Sequence, residues 1–246
     1  MRSSRSGPPP LKRMIVPALF VGALFVVTFV RQPTGPDARE QWILSGRTMG
    51  TAFTVKIVPP VDPKITKDEV ATVVKETVDE VDARMSTYQP DSELSRLNDA
   101  GTEIVEISPA LFDVLTEAQR VAELSGGAFD ITIGPLVDAW GFGPGGKVEP
   151  PDDPTVDRLL AEHGFRHLEL DTEKLTARKT TPALRCDLSA IAKGYGVDRV
   201  AVRLIELGFD DFMVEIGGEV RAQGVNAEGR VWRIGVERPV AQRSGV

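Results

Sequence analysis

Cysteine is nearly missing from this 246-residue chain, with Cys186 its only representative. An intrachain disulfide and a thiolate metal cluster are therefore excluded, and the lone thiol reads as a small core residue. Histidine is almost as scarce. His163 and His167 are four apart but straddle Gly164 at an expected helix end, so they do not share one helical face as a zinc pair does. Both read as surface or core residues. No Gly-x-Ser-x-Gly elbow marks a serine hydrolase, no P-loop is present because no glycine precedes a Lys-Ser or Lys-Thr pair, and no dinucleotide fingerprint occurs. Positive charge is also short: 29 Lys and Arg against 36 Asp and Glu leave −7. Beyond residue 31 the balance is 24 against 36, or −12. That excess argues against nucleic acid and anionic lipid as partners. A phosphate ligand would need a helix N-terminus, a lysine or a metal ion.

Long uncharged runs are equally rare. The one that exists is Met14 to Val30, 17 residues preceded by Arg2, Arg5, Lys12 and Arg13 with no acid among them. It sits at the short limit for a spanning helix. A buried core helix would show a polar stripe, and this run has none. We expect a basic cytoplasmic region over 1–13, a transmembrane signal-anchor over 14–30, a Pro- and Gly-containing linker over 31–41 and a globular domain over 42–246. No small-x-small site follows the run, so the expected anchor is uncleaved. Basic residues stay on the cytoplasmic side, which places the domain outside the cytoplasm, on the periplasmic face of an inner membrane.

Within the domain, Phe53, Val55 and Ile57 alternate with Thr54 and Lys56, predicting a half-buried strand over 51–58. Thr66 and Glu69 form a capping box ahead of Val70, Val74, Val78, Val81 and Met85 at helical spacing. A second helix starts at Ser108-Pro109 and ends at Ser125-Gly126-Gly127. A third is expected over 153–163, and a fourth begins just after Asp187 and closes at Gly208. Strands are expected over 167–170, 212–216, 219–223 and 231–236. Helices and strands mix without strict βαβ alternation, so the fold class is α+β with mixed or antiparallel sheets packed against helices.

Two stretches look chemical. Gly126 to Pro144 holds five glycines, two prolines and three aromatics: backbone that can approach a ligand, and rings for it to lie against. A turn-rich loop packing its aromatics on the core would read the same way. In Asp187 to Asp198, Asp187 is placed as an N-cap, with Ser189 and Lys193 in the first turns, where N–H groups and the helix dipole attract anions. Gly194 and Gly196 each cost about 1 kcal/mol relative to alanine in a helix, so something other than helix stability placed them. A capped helix packed tightly through its glycines is the alternative. Gly217-Gly218-Glu219 after a strand is explained as well by a tight turn.

Thr48-Met49-Gly50-Thr51, Met85-Ser86-Thr87-Tyr88 with Ser92-Glu93-Leu94-Ser95-Arg96-Leu97-Asn98, Gly126 to Pro144, Asp187 to Asp198 and Gly217-Gly218-Glu219-Val220, taken in order, resemble the ApbE family of FAD:protein FMN transferases. The five ordered segments span nearly all of residues 42–239. The resemblance implies a T-fold-related architecture and a reaction in which FAD is split at its pyrophosphate, FMN passes to a Ser or Thr hydroxyl of a target protein, and AMP leaves. It implies magnesium as cofactor and exported subunits of membrane redox complexes as acceptors. It also implies that Met49, Tyr88, Ala128, Phe129, Asp130, Asp187 and Lys193 line the FAD site, with the Ala190 carbonyl offered to the metal. No catalytic base is assigned.

The resemblance carries two departures. An expected membrane helix stands where many members have a lipidated cysteine. Members also continue into a Ser-His-x-x-Asp-Pro-x-Thr-Gly-like stretch and a later Asp-x-x-x-Thr or Asp-x-x-x-Ser stretch supplying side-chain metal ligands, and neither occurs up to Val246. The domain is therefore expected to be C-terminally incomplete, with its metal site half built. A flavin-binding protein, an FAD pyrophosphatase and an inactive remnant stay open beside the transferase.

Overall fold

The computed structural model describes residues 39–146 and 149–236. The expected anchor over 14–30 lies outside them; among the described residues no helix is long and apolar enough to cross a membrane. The described residues from Glu40 onward belong to one compact unit.

Four antiparallel strands make the larger sheet, in the order β1 (Trp42–Thr48), β2 (Thr51–Ile57), β6 (Phe212–Ile216), β7 (Glu219–Gln223). Its buried face follows directly from alternation: Phe53, Val55 and Ile57 on β2 and Phe212, Val214 and Ile216 on β6 all point inward. Against it pack α1 (Lys67–Met85), through Val70, Val74 and Val78, and α6 (Ala192–Glu206), through Val197, Val200 and Leu204. Each such side chain contributes about 1.5–3 kcal/mol by burial, whereas exposed pairs on the helix surfaces such as Arg203–Glu206 contribute under about 1 kcal/mol. The core, not the surface charges, holds the layer together.

A second core lies among α2 (Glu93–Asp99), α3 (Pro109–Leu124) and a small antiparallel sheet of β3 (Ile104–Glu106), β5 (Thr176–Lys179) and β4 (Leu168–Asp171). Leu94, Leu97, Leu111, Leu115, Leu168, Leu184 and Leu188 fill it, and Cys186 sits among them with its thiol pushed up to about 12 by burial. Met49 packs against both cores. The short helix α4 (Gly134–Ala139) and the surface helix α5 (Asp153–Ala161) complete the unit. Both histidines are structural: His163 Nδ1 lies 2.6 Å from the Leu159 carbonyl and His167 Nδ1 2.8 Å from Thr180 Oγ1.

The α+β reading holds, and three expected elements are corrected. The last long helix begins at Ala192 rather than just after Asp187. Asp187 does not cap it: its carboxylate accepts from the Ser189 N–H at 2.8 Å, and its own N–H donates to Ile131, so the chain stays extended to that point. Residues 231–236 form no strand. Val231 forms an isolated bridge with Val225, and the Trp232 indole donates to the Gln223 carbonyl at the end of β7. The helix at Asp153 stops at Ala161, short of His163.

Candidate functional site

The first wall is a turn. Thr48 pairs with Thr51, leaving Met49 and Gly50 as a two-residue connection with φ of +46° and +71°. Positive φ at both central residues suits a tight hairpin, but for a methionine it is an uncommon, strained conformation. Thr48 Oγ1 donates to the Val78 carbonyl and ties the turn to α1. The opposite hairpin, β6–β7, turns through Gly217 and Gly218, also at positive φ. A Cβ on Gly217 would lie 2.8 Å from Thr51 Cγ2 and 3.1 Å from Lys193 Cδ. Two hairpin ends and the start of α6 therefore crowd one spot.

Beyond α1 the chain loops through Ser86, Thr87 and Tyr88. The loop is pinned from α2: Ser92 Oγ donates to the Ser86 carbonyl at 2.6 Å, and Ser95 Oγ to Gln89 at 2.8 Å. Ser92 also caps α2 by accepting from the Ser95 N–H. Tyr88 is 61% exposed, and its hydroxyl donates to the Phe142 carbonyl at 2.7 Å, joining this loop to the glycine-rich one.

That glycine-rich loop opens where α3 ends. Gly126 and Gly127 take positive φ, and the Gly127 N–H bonds back to Ala122 at 2.8 Å, a helix termination that residues with a Cβ adopt poorly. Ala128 is exposed and Phe129 half-buried. Asp130 accepts from the Thr132 N–H and hydroxyl and from the Phe165 N–H at 2.9 Å, so its carboxylate braces the loop. An extended strap, Leu184 to Asp187, runs alongside: Ile133 pairs with Arg185 in parallel, and the Asp187 N–H reaches Ile131 at 2.7 Å.

Three depressions meet around the strap and α6. Met49, Asp82, Ser86, Tyr88, Ser189 and Lys193 line the pocket under the hairpin. It shares Thr87 and Tyr88 with a cleft of about 610 Å³ bordered by Asp99, Asp138, Pro144 and Arg185. Across the 189–194 segment lies a cleft of about 530 Å³, lined by Phe129, Ala190, Ile191, Gly194, Tyr195 and Glu219. Both volumes fall in the roughly 300–1,000 Å³ range of small-molecule sites. Nothing of the protein lies within 4 Å of a Cβ on Gly194, so this glycine faces open space in the cleft. Gly196 instead makes room for Met49 Cε at 3.1 Å and Ile216 Cδ1 at 3.3 Å.

The structure thus brings Met49, Tyr88 and Lys193 together in one pocket and Phe129 and Ala190 in the neighbouring cleft. Asp187 lies in a small cavity beside the strap, with Asn98 and Arg185. Ala128 and Asp130 are in the glycine-rich loop but on none of these walls. Lys193 Nζ pairs with Glu219 at 2.9 Å, and the other Glu219 oxygen is buried without a hydrogen-bond partner among the described residues. Burial pushes the Tyr195 hydroxyl up from its ordinary value. Asp82 and Arg185 are single polar residues outside any glycine-rich context and give no sequence signal, whereas Asp138 and Tyr195 lie inside the two glycine-rich stretches but carry no mark of their own within them.

A metal fits these residues only in part. Ala190 lines the cleft that Glu219 also lines, but no group of three His, Cys, Asp or Glu side chains able to hold a metal occurs among the described residues.

Two hairpin ends, a braced glycine-rich loop and a strap-to-helix junction converge on these clefts and define an α+β protein with concave surface of small-molecule size. Residues 49–246 match the sequence model of the ApbE family, and the chain belongs to that family. It is 43% identical over 204 residues to the FAD:protein FMN transferase of Haemophilus influenzae, covering 80% of this chain and 58% of the relative. With the Vibrio cholerae transferase it shares 44% over 209 residues, 83% of this chain and 61% of the relative. The chain thus spans about three fifths of the length of these curated relatives. The solved flavin transferase ApbE from Vibrio cholerae superposes with a TM-score of 0.77 at 42% identity, covering 81% of this chain and 64% of that one. The apo flavinyl transferase ApbE from Pseudomonas stutzeri gives 0.74 at 33%, covering 81% and 66%.

Proposed function

We propose that this chain is an FAD:protein FMN transferase. One observation carries the reading: residues from separate segments, Met49, Tyr88 and Lys193, line a single pocket that adjoins the Phe129–Ala190 cleft. In the reaction a Ser or Thr hydroxyl oxygen of the acceptor bonds to the FMN-side phosphorus of FAD, and the pyrophosphate P–O bond breaks. AMP leaves with the electron pair, and the hydroxyl proton passes to solvent or to the leaving phosphate. Tyr88 and Phe129 offer rings to the flavin or adenine. Lys193 exchanges its Glu219 partner for a phosphate oxygen, while Asp130 and Asp187 hold the two loops that frame the clefts. Magnesium, when bound, supplies positive charge to the phosphoryl oxygens, with the Ala190 carbonyl as the oxygen offered from this part of the chain.

We further infer an inner-membrane protein anchored by residues 14–30, with residues 42–246 on the periplasmic side and exported subunits of membrane redox complexes as acceptors. The uncharged run and the basic residues before it support the anchor. Carbonate washing of membranes should leave the full chain bound and release a form starting at Gln32; release of both would remove the anchor.

The test of the activity is mass spectrometry of a recombinant exported redox subunit with an exposed threonine, incubated with the full chain, FAD and MgCl₂. The acceptor should gain the mass of one FMN as AMP appears. An unmodified acceptor alongside folded, FAD-bound protein would overturn the transferase. Free FMN and AMP without any acceptor would replace it with a pyrophosphatase.

A further inference from the structure

Asn98 is buried at the end of α2, far along the chain from every glycine-rich segment, and both ends of its side-chain amide are engaged. Its Nδ2 donates to the Cys186 carbonyl at 2.9 Å, and its Oδ1 accepts from the Cys186 N–H at 2.7 Å. A side chain that pairs with both main-chain groups of one residue stands in for a neighbouring strand. The Lys179 ammonium, 1% exposed, reinforces it by donating to the carbonyls of Asn98 and Leu184. On its other side the strap is held by Gly134 donating to the Arg185 carbonyl at 3.1 Å and by Asp187 donating to Ile131. Residues 184–187 are therefore gripped alternately by Lys179 of β5 and Asn98 of α2 on one side and by the glycine-rich loop on the other.

We infer that Asn98, backed by Lys179, is a positioning residue of the flavin site: its double bond-pair with Cys186 sets Asp187 and keeps the two ligand-facing stretches in register. The inference rests on the proposed function. Without Asn98 both main-chain groups of Cys186 are left unsatisfied in the core, a loss the strap relieves by moving. Asp187 moves with it, because only one peptide bond separates the two residues. Asn98 itself does not line the hairpin pocket or either large cleft.

The test uses the full chain as Asn98→Ala and as Asn98→Asp; the latter keeps the size and the acceptor facing the Cys186 N–H but puts an oxygen against its carbonyl. FAD binding is titrated by flavin fluorescence, and amide hydrogen exchange is read by mass spectrometry. The Kd and KM for FAD should rise about tenfold in each folded variant, with kcat at saturating FAD moving far less. Exchange should quicken over residues 185–189 more than over α3. Leu204→Ala, which weakens the other core, should lower stability and leave the FAD Kd and strap protection as they were. Equal exchange increases everywhere, or an unchanged strap, would overturn the inference, as would unaltered FAD affinity in a variant of a binding-competent protein. If the unsubstituted chain binds no FAD, the proposed function falls, and the exchange pattern alone decides whether Asn98 positions the strap.

Discussion

Gly50 and Gly217 show how one residue type serves two ends. Both hold positive φ, but a Cβ on Gly50 would meet nothing within 4 Å, whereas one on Gly217 would press on Thr51 and Lys193. Gly50→Ala should therefore cost only the backbone term, about 1 kcal/mol, and leave FAD affinity intact. Gly217→Ala should cost more and also weaken FAD binding, because Lys193 is displaced; urea unfolding and fluorescence titration on the pair check both. Gly194 predicts opposite signs. In the first turn of α6 with open space beside it, Gly194→Ala should stabilise the protein by up to about 1 kcal/mol while its methyl intrudes on the cleft and lowers FAD affinity. Equal or tighter FAD binding by that variant would remove Gly194 from the site.

At the scale of elements, legibility followed local chemistry. The capping box at Thr66 and the Ser108-Pro109 start announced α1 and α3, since caps and periodicity are short-range signals. β1 escaped because its alternation is broken by Ile43, 52% exposed, and by Gly46, which must be small to seat the Phe53 ring at 2.6 Å from a Cβ there. β3 is three residues long, too short for a period to emerge, and β5, Thr-Ala-Arg-Lys, carries no large apolar residue to mark one. The Asp187 reading failed for a different reason: an aspartate ahead of a helix can bond two residues on as readily as it can cap, and only the long-range pull of Ile131 decides. The glycine-rich stretches were visible, while the Asn98 clamp spanning 88 residues was not.

The capping box also carries a pH dependence. The Thr66 main-chain N–H, then its hydroxyl, hold Glu69 below its ordinary 4.5. A depressed folded-state pKa gives stability that is fully present above 4.5 and is lost as pH falls through the lower folded value. Thr66→Ala should cost about 1 kcal/mol near neutrality, and the loss should shrink in melts taken below pH 4.5. A constant difference across that range would exclude the linkage.

For the molecule as a whole, the two cores meet at Met49, which packs against both and lines the hairpin pocket beside Met85, Leu188 and Ala192 of the second core. Ligand binding should then protect the unit as one body. FAD at about one hundred times its Kd should add about 2.7 kcal/mol to unfolding. Hydrogen exchange should slow in α1 and α3 alike; protection confined to one core would mean that the clefts work separately.

The buried Cys186 offers an experimental opening. Its thiol is 1% exposed and held in the neutral form, so the folded domain presents no competing nucleophile to maleimides or other thiol reagents. A cysteine placed at Ile43 or Leu160, both on the surface, would take a fluorescent or spin label selectively without first engineering a cysteine-free background. Labels at those two positions would report distances across the domain while FAD is added, making loop and strap movements visible in the unmodified core.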